Sequence, residues 1–542
     1  MMNWNQLKYF RTGISVTVLT GLSLALLGSS SSILAKVGSW LAAVQFAPSL
    51  LALTAGASLS LACVVILVAT LLVGRVYCSS ICPLGALQDV IARLASLRQK
   101  KKRPMPYAKP VPRIRVAVLL IAILGIVSGW TGLVVSLLDP YSTFGRIVAE
   151  LLRPLLHLPL RFVPGFATAK DALAAHPGVV HWAGVWAILI PLAALGLVGA
   201  MAFLRGRLYC NTVCPVGTLL GFISRFSAFQ LQIDADCKKC ARCIRVCKAQ
   251  CIDTRTGSID NSRCVSCFNC VPVCAGHFIG YRLSWKKRAH VAQGPLVTLA
   301  STSKSEAAVA PNYRRRAVIT GGALALAGAV GSELLWASEQ KEDTSSDLSA
   351  PSKHSDSNAR DNRPVRPPGS FAVEQFLDRC TACHLCVSAC PTQVLQPSSL
   401  HDGLGGLLKP QMDYAASYCD YDCTRCGQVC PSGALSQLSV ADKRRTRVGL
   451  ARLDASRCVV QTKRINCTLC VDHCPAKAIE TVPYGENLHL PQVKALLCIG
   501  CGRCEYECPV QERKAIAVFG LVRETHVPVG LCGENKSSNA TS

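Results

Sequence analysis

The chain has 542 residues, a hydrophobic fraction of 50%, a formal net charge of +26 and 31 cysteines. That length gives room for several domains and excludes a small secreted domain stapled by disulfides, despite the cysteine count. The charge invites a nucleic-acid partner, but the basic residues crowd beside apolar stretches as they do at the flanks of membrane helices, so no nucleic acid is expected.

Four apolar stretches come first: Gly13–Ala35, Ser49–Val73, Val116–Leu138 and Val179–Leu204. Each is long enough to cross a hydrocarbon core of about 30 Å. No convincing small-residue cleavage site follows the first, so it reads as a retained helix. Four spans leave both ends of the block on one side. Lys36 stands alone between the first two, whereas Arg93, Arg98, Lys100, Lys101, Lys102, Arg103, Lys109 and Arg113 follow the second. This asymmetry places the amino terminus, that basic loop and whatever follows the fourth span in the cytoplasm.

Two matching motifs close the second and fourth spans, GRVYCSSICPLG and GRLYCNTVCPVG. They supply Cys78, Cys82, Cys210 and Cys214. Buried thiol pairs that merely pack helix ends are the bland account. Repetition at equivalent helix ends points instead to redox work, and the spacing leaves open a disulfide pair, a metal site or a cluster. Trp130, Asp139 and Tyr141, at the end of the third span, are candidates for a ligand site between helices near the headgroups (a quinol site, if the family resemblance given below holds), with Asp139 as proton acceptor. An interfacial aromatic belt and a helix-ending Asp-Pro explain the same three residues without any function.

Next come two runs of cysteines spaced by two, two and three residues: Cys237, Cys240, Cys243, Cys247 and Cys264, Cys267, Cys270, Cys274. Three close thiolates grip one cubane, and the fourth of each run reaches across to the other, which is the pattern of a two-cluster ferredoxin. Zinc would favour separated pairs. Lys248 and Ala275 follow the fourth cysteines where ferredoxin motifs usually have proline, and Cys251 lies nearby as a substitute ligand. The paired C-x3-C-P motifs and this ferredoxin, over residues 10–280, resemble the NapH family of membrane quinol dehydrogenase subunits that serve periplasmic nitrate reductase. The NosR and CcoG families share the motif.

Residues 313–337 join Arg314, Arg315 and Arg316 to a short apolar run, with Glu333, Glu339, Glu342 and Asp343 beyond it. The charges direct the segment outward from the cytoplasm. It resembles an internal twin-arginine export signal, with Val318 and Ile319 departing from the pattern. Residues 338–368 are polar and read as a flexible linker.

Four further cysteine groups follow: Cys380, Cys383, Cys386, Cys390; Cys419, Cys423, Cys426, Cys430; Cys458, Cys467, Cys470, Cys474; and Cys498, Cys501, Cys504, Cys508. A proline after each last cysteine turns the chain away from a cluster. From Arg366 to Leu521 the chain resembles the NapG family of polyferredoxins, so it reads as a fusion of NapH-like and NapG-like halves. The resemblance implies nested pairing, the first group sharing ligands with the fourth and the second with the third; sequential pairing is the alternative. Cys63 and Cys532 are expected to be unliganded.

The expected fold is an α-helical membrane block, four spans plus one later crossing, with two α+β ferredoxin-like iron–sulfur domains. Its parts are a four-helix membrane domain (1–205), a two-cluster ferredoxin (206–290), the signal or fifth span (313–337), the linker (338–368), a four-cluster ferredoxin (369–525) and a tail (526–542). Twenty-four cysteines in ferredoxin-type groups imply six [4Fe-4S] clusters. The expected protein is a multi-pass component of the bacterial inner membrane, its first ferredoxin cytoplasmic and its second periplasmic. The family resemblances imply quinol, plausibly menaquinol, as substrate, the membrane quinone pool as partner, and a periplasmic reductase or cytochrome as acceptor. A copper-reducing maturation or assembly factor, as in the CcoG and NosR relatives, is the alternative.

Overall fold

The computed structural model describes residues 4–28, 32–54, 61–98, 107, 111–160, 184–253, 256–283, 363–399, 403–485, 487–511 and 513–527. The run at 313–337 and Cys532 lie outside them, as does the linker up to residue 362. Met1–Ser284 and Arg360–Ser542 form one compact unit, and the second, Trp285–Ala359, falls wholly outside the described residues.

The first part of the chain is helical: α1 (Trp4–Leu26), α2 (Ser32–Ala43), α3 (Phe46–Thr54), α4 (Leu61–Val73), α5 (Val76–Ser80), α6 (Pro83–Arg98), α7 (Pro112–Val127), α8 (Thr131–Leu138), α9 (Pro140–Arg146), a π-helical stretch (Ile147–Leu152), α10 (Arg153–Leu160), α11 (Val185–Arg205), α12 (Leu208–Thr212) and α13 (Pro215–Ser224). Among the described residues two helices, Gln6–Leu26 and Val185–Arg205, are long and apolar enough to cross a membrane. The pair Ile33–Ala43 and Phe46–Thr54, bent by 81°, would make a third.

Against the four straight spans expected from hydropathy, the described residues show two such helices, or three with the bent pair. In the first stretch α1 stops at Leu26, and Gly28 takes φ +84°, the left-handed conformation that commonly ends helices. In the second, the described residues show α3 as far as Thr54 and α4 from Leu61, and residues 55–60 lie outside them. The third breaks at Gly129, φ +83°. There α8 folds back so tightly on α7 that a Cβ on Gly125 would collide with Val134. Only the fourth stretch persists as one helix, shifted to Val185–Arg205. Summed hydropathy cannot register a single glycine that reverses the chain.

These helices link two iron–sulfur regions. At the start of α11, Ala187 packs with Ala382 and Leu408 of the carboxy-terminal region. Just past its other end, Arg207 N donates to Lys248 O of the first ferredoxin at 3.0 Å. A helix of 21 residues is about 32 Å long at 1.5 Å per residue. Helix α1 repeats the pattern: Arg11 donates to Ser79 O at 2.7 Å on the first ferredoxin's side, while Gly28 abuts Ser388 O of the carboxy-terminal region.

In the first ferredoxin the antiparallel pair β1 (Phe229–Ile233) and β4 (Ile279–Leu283) closes over the hairpin β2 (Ile252–Asp253) and β3 (Ser258–Ile259). The last part of the chain repeats this plan, β7 (Thr446–Leu453) pairing with β10 (Ile516–His526) over the hairpin β8 (Ile479–Pro483) and β9 (His489–Val493). Between them lie β5 (Leu395–Pro397) and β6 (Pro410–Met412), with α15 (Val373–Arg379) and α16 (Leu385–Ala389). (A one-turn helix in the first ferredoxin, Arg242–Val246, is α14.)

Candidate iron–sulfur centres

Four of the cysteine groups line small apolar cavities. Cys264, Cys267 and Cys270 share one with Cys247, the cross-over expected of a two-cluster ferredoxin. Cys251 lies in the same cavity, its sulfur 3.7 Å from that of Cys247. Cys237, Cys240 and Cys243 face one another, and Cys243 and Cys274 share the same buried core.

In the carboxy-terminal region the nested pairing gives way to sequential pairing. Cys419, Cys423 and Cys426 gather with Cys390. Cys380, Cys383 and Cys386 face Cys430. Cys498, Cys501 and Cys504 gather with Cys474, and Cys458, Cys467 and Cys470 with Cys508. The cause is topological: β7 and β10 bracket the third and fourth groups as a self-contained ferredoxin, which leaves the first two to complete each other. Cys458 joins its group despite the wide gap before Cys467, because a short helix, Val459–Thr462, takes up the intervening chain. Cys419 N donates to Cys501 O at 2.9 Å, so the site of Cys419, Cys423 and Cys426 touches that of Cys498, Cys501 and Cys504, and the four sites form a row.

Burial disfavours the charged thiolate form of these cysteines until a metal takes the place of the proton. It pushes Cys380, Cys470 and Cys501 up to about 12 and Cys419 to about 11. Metal binding releases such protons, as iron–sulfur ligation requires. Cys247 is the opposite case: a hydrogen bond from Cys251 holds it down at about 6, and Cys251 is pushed up correspondingly.

Sequential pairing makes a direct prediction. In Cys390→Ser, Cys419, Cys423 and Cys426 should become open to iodoacetamide while Cys498, Cys501 and Cys504 stay protected. Mass spectrometry reporting the reverse pattern would restore the nested arrangement.

The first carboxy-terminal site sits against the helical block. His384, between two of its cysteines, has Nδ1 2.7 Å from Glu150 Oε1 on the π-helical stretch and donates from Nε2 to Leu408 O at 2.8 Å. Arg153 donates to Gln393 Oε1 at 2.7 Å, and Arg146 to Ala382 O at 3.4 Å. Tyr141, fully buried, directs its hydroxyl toward Cys383.

Of the three quinol-site candidates, Asp139 and Tyr141 are buried and Trp130 is half-exposed at the other end of α8. Asp139 caps α9 by accepting from Ser142 N at 2.8 Å and Ser142 Oγ at 2.7 Å, which matches the bland account of that carboxylate. On the other side of Asp139 stands Tyr209, within electrostatic reach of both Asp139 and the C-x3-C-P thiols. Cys78, Cys82, Cys210 and Cys214 are all buried and lie together. Cys63 is buried separately within α4.

Sequence reasoning missed the arginine of each C-x3-C-P motif, although both stood in the quoted repeats. Each arginine reaches across to the other motif. Arg75 donates to Gly217 O at 2.6 Å and Asn211 Oδ1 at 2.6 Å, and Arg207 donates to Cys78 O. Arg75 also donates to Arg263 O at 2.5 Å and Cys264 O at 3.3 Å, tying the motif pair to the first ferredoxin.

Rows of four-cysteine cavities, set around helices that join them, define a multi-cluster iron–sulfur electron carrier. A family described as 4Fe-4S binding domain matches residues 54–104, 186–233 and 426–449, the first two stretches each containing one C-x3-C-P motif. Families described as 4Fe-4S dicluster domain match 373–434 and 463–511, and 260–394. The methylamine utilization ferredoxin-type protein MauM of Methylobacillus flagellatus is 34% identical over 181 residues, 32% of this chain and 74% of that protein. The ferredoxin-type protein NapF of Escherichia coli K12 is 32% identical over 27% of this chain and 80% of its own length. NapG of the same organism is 34% identical over 29% of this chain and 71% of its own. No solved structure matches. The chain belongs to the 4Fe-4S ferredoxin-type proteins of the Nap and Mau kind.

Proposed function

We propose that this protein is a membrane-bound quinol dehydrogenase component that carries electrons between its two ferredoxin regions, from the quinone pool to a periplasmic reductase or cytochrome. The observation that carries this reading is a succession of neighbouring groups that joins the cysteine sites of the two regions. It runs from the first ferredoxin through Arg75 to the C-x3-C-P thiols, on by Tyr209, Asp139 and Tyr141 to Cys383, and along the row of four. The clusters, when bound, supply one-electron storage. The chain's own residues set the spacing, exclude water and neutralise charge. Helices α1 and α11, with ferredoxin regions at their opposite ends, support a file that crosses the membrane. Trp130, Asp139 and Tyr141 remain the candidates for the quinol site, with Asp139 as the base that would receive a quinol proton.

Twenty-four cysteines in ferredoxin-type groups give six cubanes and about twenty-four irons per chain. Iron analysis of anaerobically purified protein near sixteen, on the order of four cubanes, would remove two of these sites. The functional test is mixing with a menaquinol analogue, followed by EPR. Reduction of clusters in both regions is expected. Clusters that dithionite reduces and the quinol analogue leaves oxidised would refute the dehydrogenase reading.

A further inference from the structure

We infer that Cys78, Cys82, Cys210 and Cys214 together hold an iron–sulfur cluster, a centre beyond those of the ferredoxin-type runs. Its place in an electron path rests on the function proposed above; its existence does not. All four thiols are free and equally shielded, each 4% exposed. The two motifs present them in the same way: Cys82 N donates to Tyr77 O at 3.0 Å, and Cys214 N to Tyr209 O at 3.1 Å. Each second cysteine precedes a proline that opens a helix, α6 or α13. The positive end of the helix dipole therefore meets a sulfur, which favours its thiolate. Cys214 Sγ accepts from Gly217 N at 3.2 Å, and Cys210 Sγ from the buried Gln88 Nε2 at 3.3 Å. Amide donors aimed at sulfur suit anionic, metal-bound thiolates.

Charge balance argues the same way. Arg75 is fully buried, and its hydrogen bonds go to carbonyls and to one amide oxygen, never to a carboxylate. Arg207 and Lys248 share the single carboxylate of Asp89, at 2.7 and 3.0 Å. Arg75 is thus a buried cation without a carboxylate, an arrangement that is expensive in a dry interior. Four thiolates around iron and sulfide supply the missing negative charge. A pair of disulfides would supply none.

The site lies between the first ferredoxin, which Arg75 joins through Cys264 O, and Tyr209 on the side of Asp139. One electron from a reduced neighbouring cluster turns a ferric iron here ferrous, and the next transfer returns it to ferric. No bond is made or broken, and the added negative charge faces Arg75 and Arg207.

The test uses the full chain, purified and reconstituted anaerobically, beside the double variant Cys82→Ser, Cys214→Ser. The variant should lose about two or four irons per chain, with matching sulfide and one EPR signal. Its ferredoxin-type cysteines should stay protected from alkylation. Unchanged iron overturns the assignment. So does zinc bound at these cysteines in the parent, or a disulfide there that opens only with reductant. Should the double variant not accumulate, Gln88→Leu serves. It removes an N–H···S bond and should move one midpoint potential to a more negative value while keeping the iron, and a variant with every potential unmoved overturns the assignment. A parent that carries this cluster yet is not reduced by the menaquinol analogue sinks the quinol reading alone.

Discussion

Replacing Gly145 by valine is expected to uncouple the carboxy-terminal clusters from the helical block. Gly145 lies on α9 with its Cα face against the backbone of Cys383, and any Cβ there would come well under 3.0 Å from Cys383 O. Gly132 on α8 meets Leu377 O in the same way. Backbone cannot swing aside as a flexible side chain can, so the loop carrying the first cluster must retreat. Overpacking of this kind costs about 1–3 kcal/mol, roughly a five- to 150-fold shift from docked toward displaced. Electron tunnelling falls exponentially with distance, so quinol-dependent reduction of these clusters should slow by up to about that factor, as the docked population falls. Dithionite, which reaches them from solution, should reduce them as fast as in the parent. Stopped-flow absorbance measures both rates. Equal quinol-dependent rates in parent and variant would show that electrons do not enter through the α9 contact.

What was legible in the sequence was what the chain encodes locally. The ferredoxin runs announce themselves because three ligands of one cubane must come from one short loop, which fixes their spacing. Cross-over pairing is a tertiary matter. Nothing between Cys390 and Cys419 says that they meet, and the sequential arrangement follows from β7 pairing with β10. The apolar content of the helical block was legible, but its breaks at Gly28 and Gly129 were not, since a positive φ leaves no mark on a hydropathy sum. Arg75 and Arg207 were visible as repeated letters. Their exchange between motifs, and the charge imbalance it creates, needed coordinates. Asp139 shows the reverse: its chemistry drew a catalytic reading, while its geometry is that of a helix cap.

Changing Arg315 and Arg316 to lysine is expected to strand the carboxy-terminal region on the cytoplasmic side. Charge would be kept and only the recognition pattern lost, so a merely basic flank should tolerate the change. The reasoning starts from chemistry. Clusters are assembled in the cytoplasm, and exposed thiols in an oxidising periplasm form disulfides instead. The sixteen cysteines between Cys380 and Cys508 must therefore be loaded before they cross. That requires export of folded cargo, which the twin-arginine-like run at 313–337 would direct. Geometry supports a separation of sides: α11 sets the first ferredoxin and the carboxy-terminal region about 32 Å apart, close to the hydrocarbon thickness of about 30 Å. Protease added to spheroplasts should digest the carboxy-terminal region of the parent and spare it almost completely in the double variant. The variant should then lose electron delivery to periplasmic acceptors while its clusters remain loaded. If the parent's region is itself protected while outward loops are cleaved, both ferredoxin regions are cytoplasmic, and the file of sites serves a reaction on one side of the membrane.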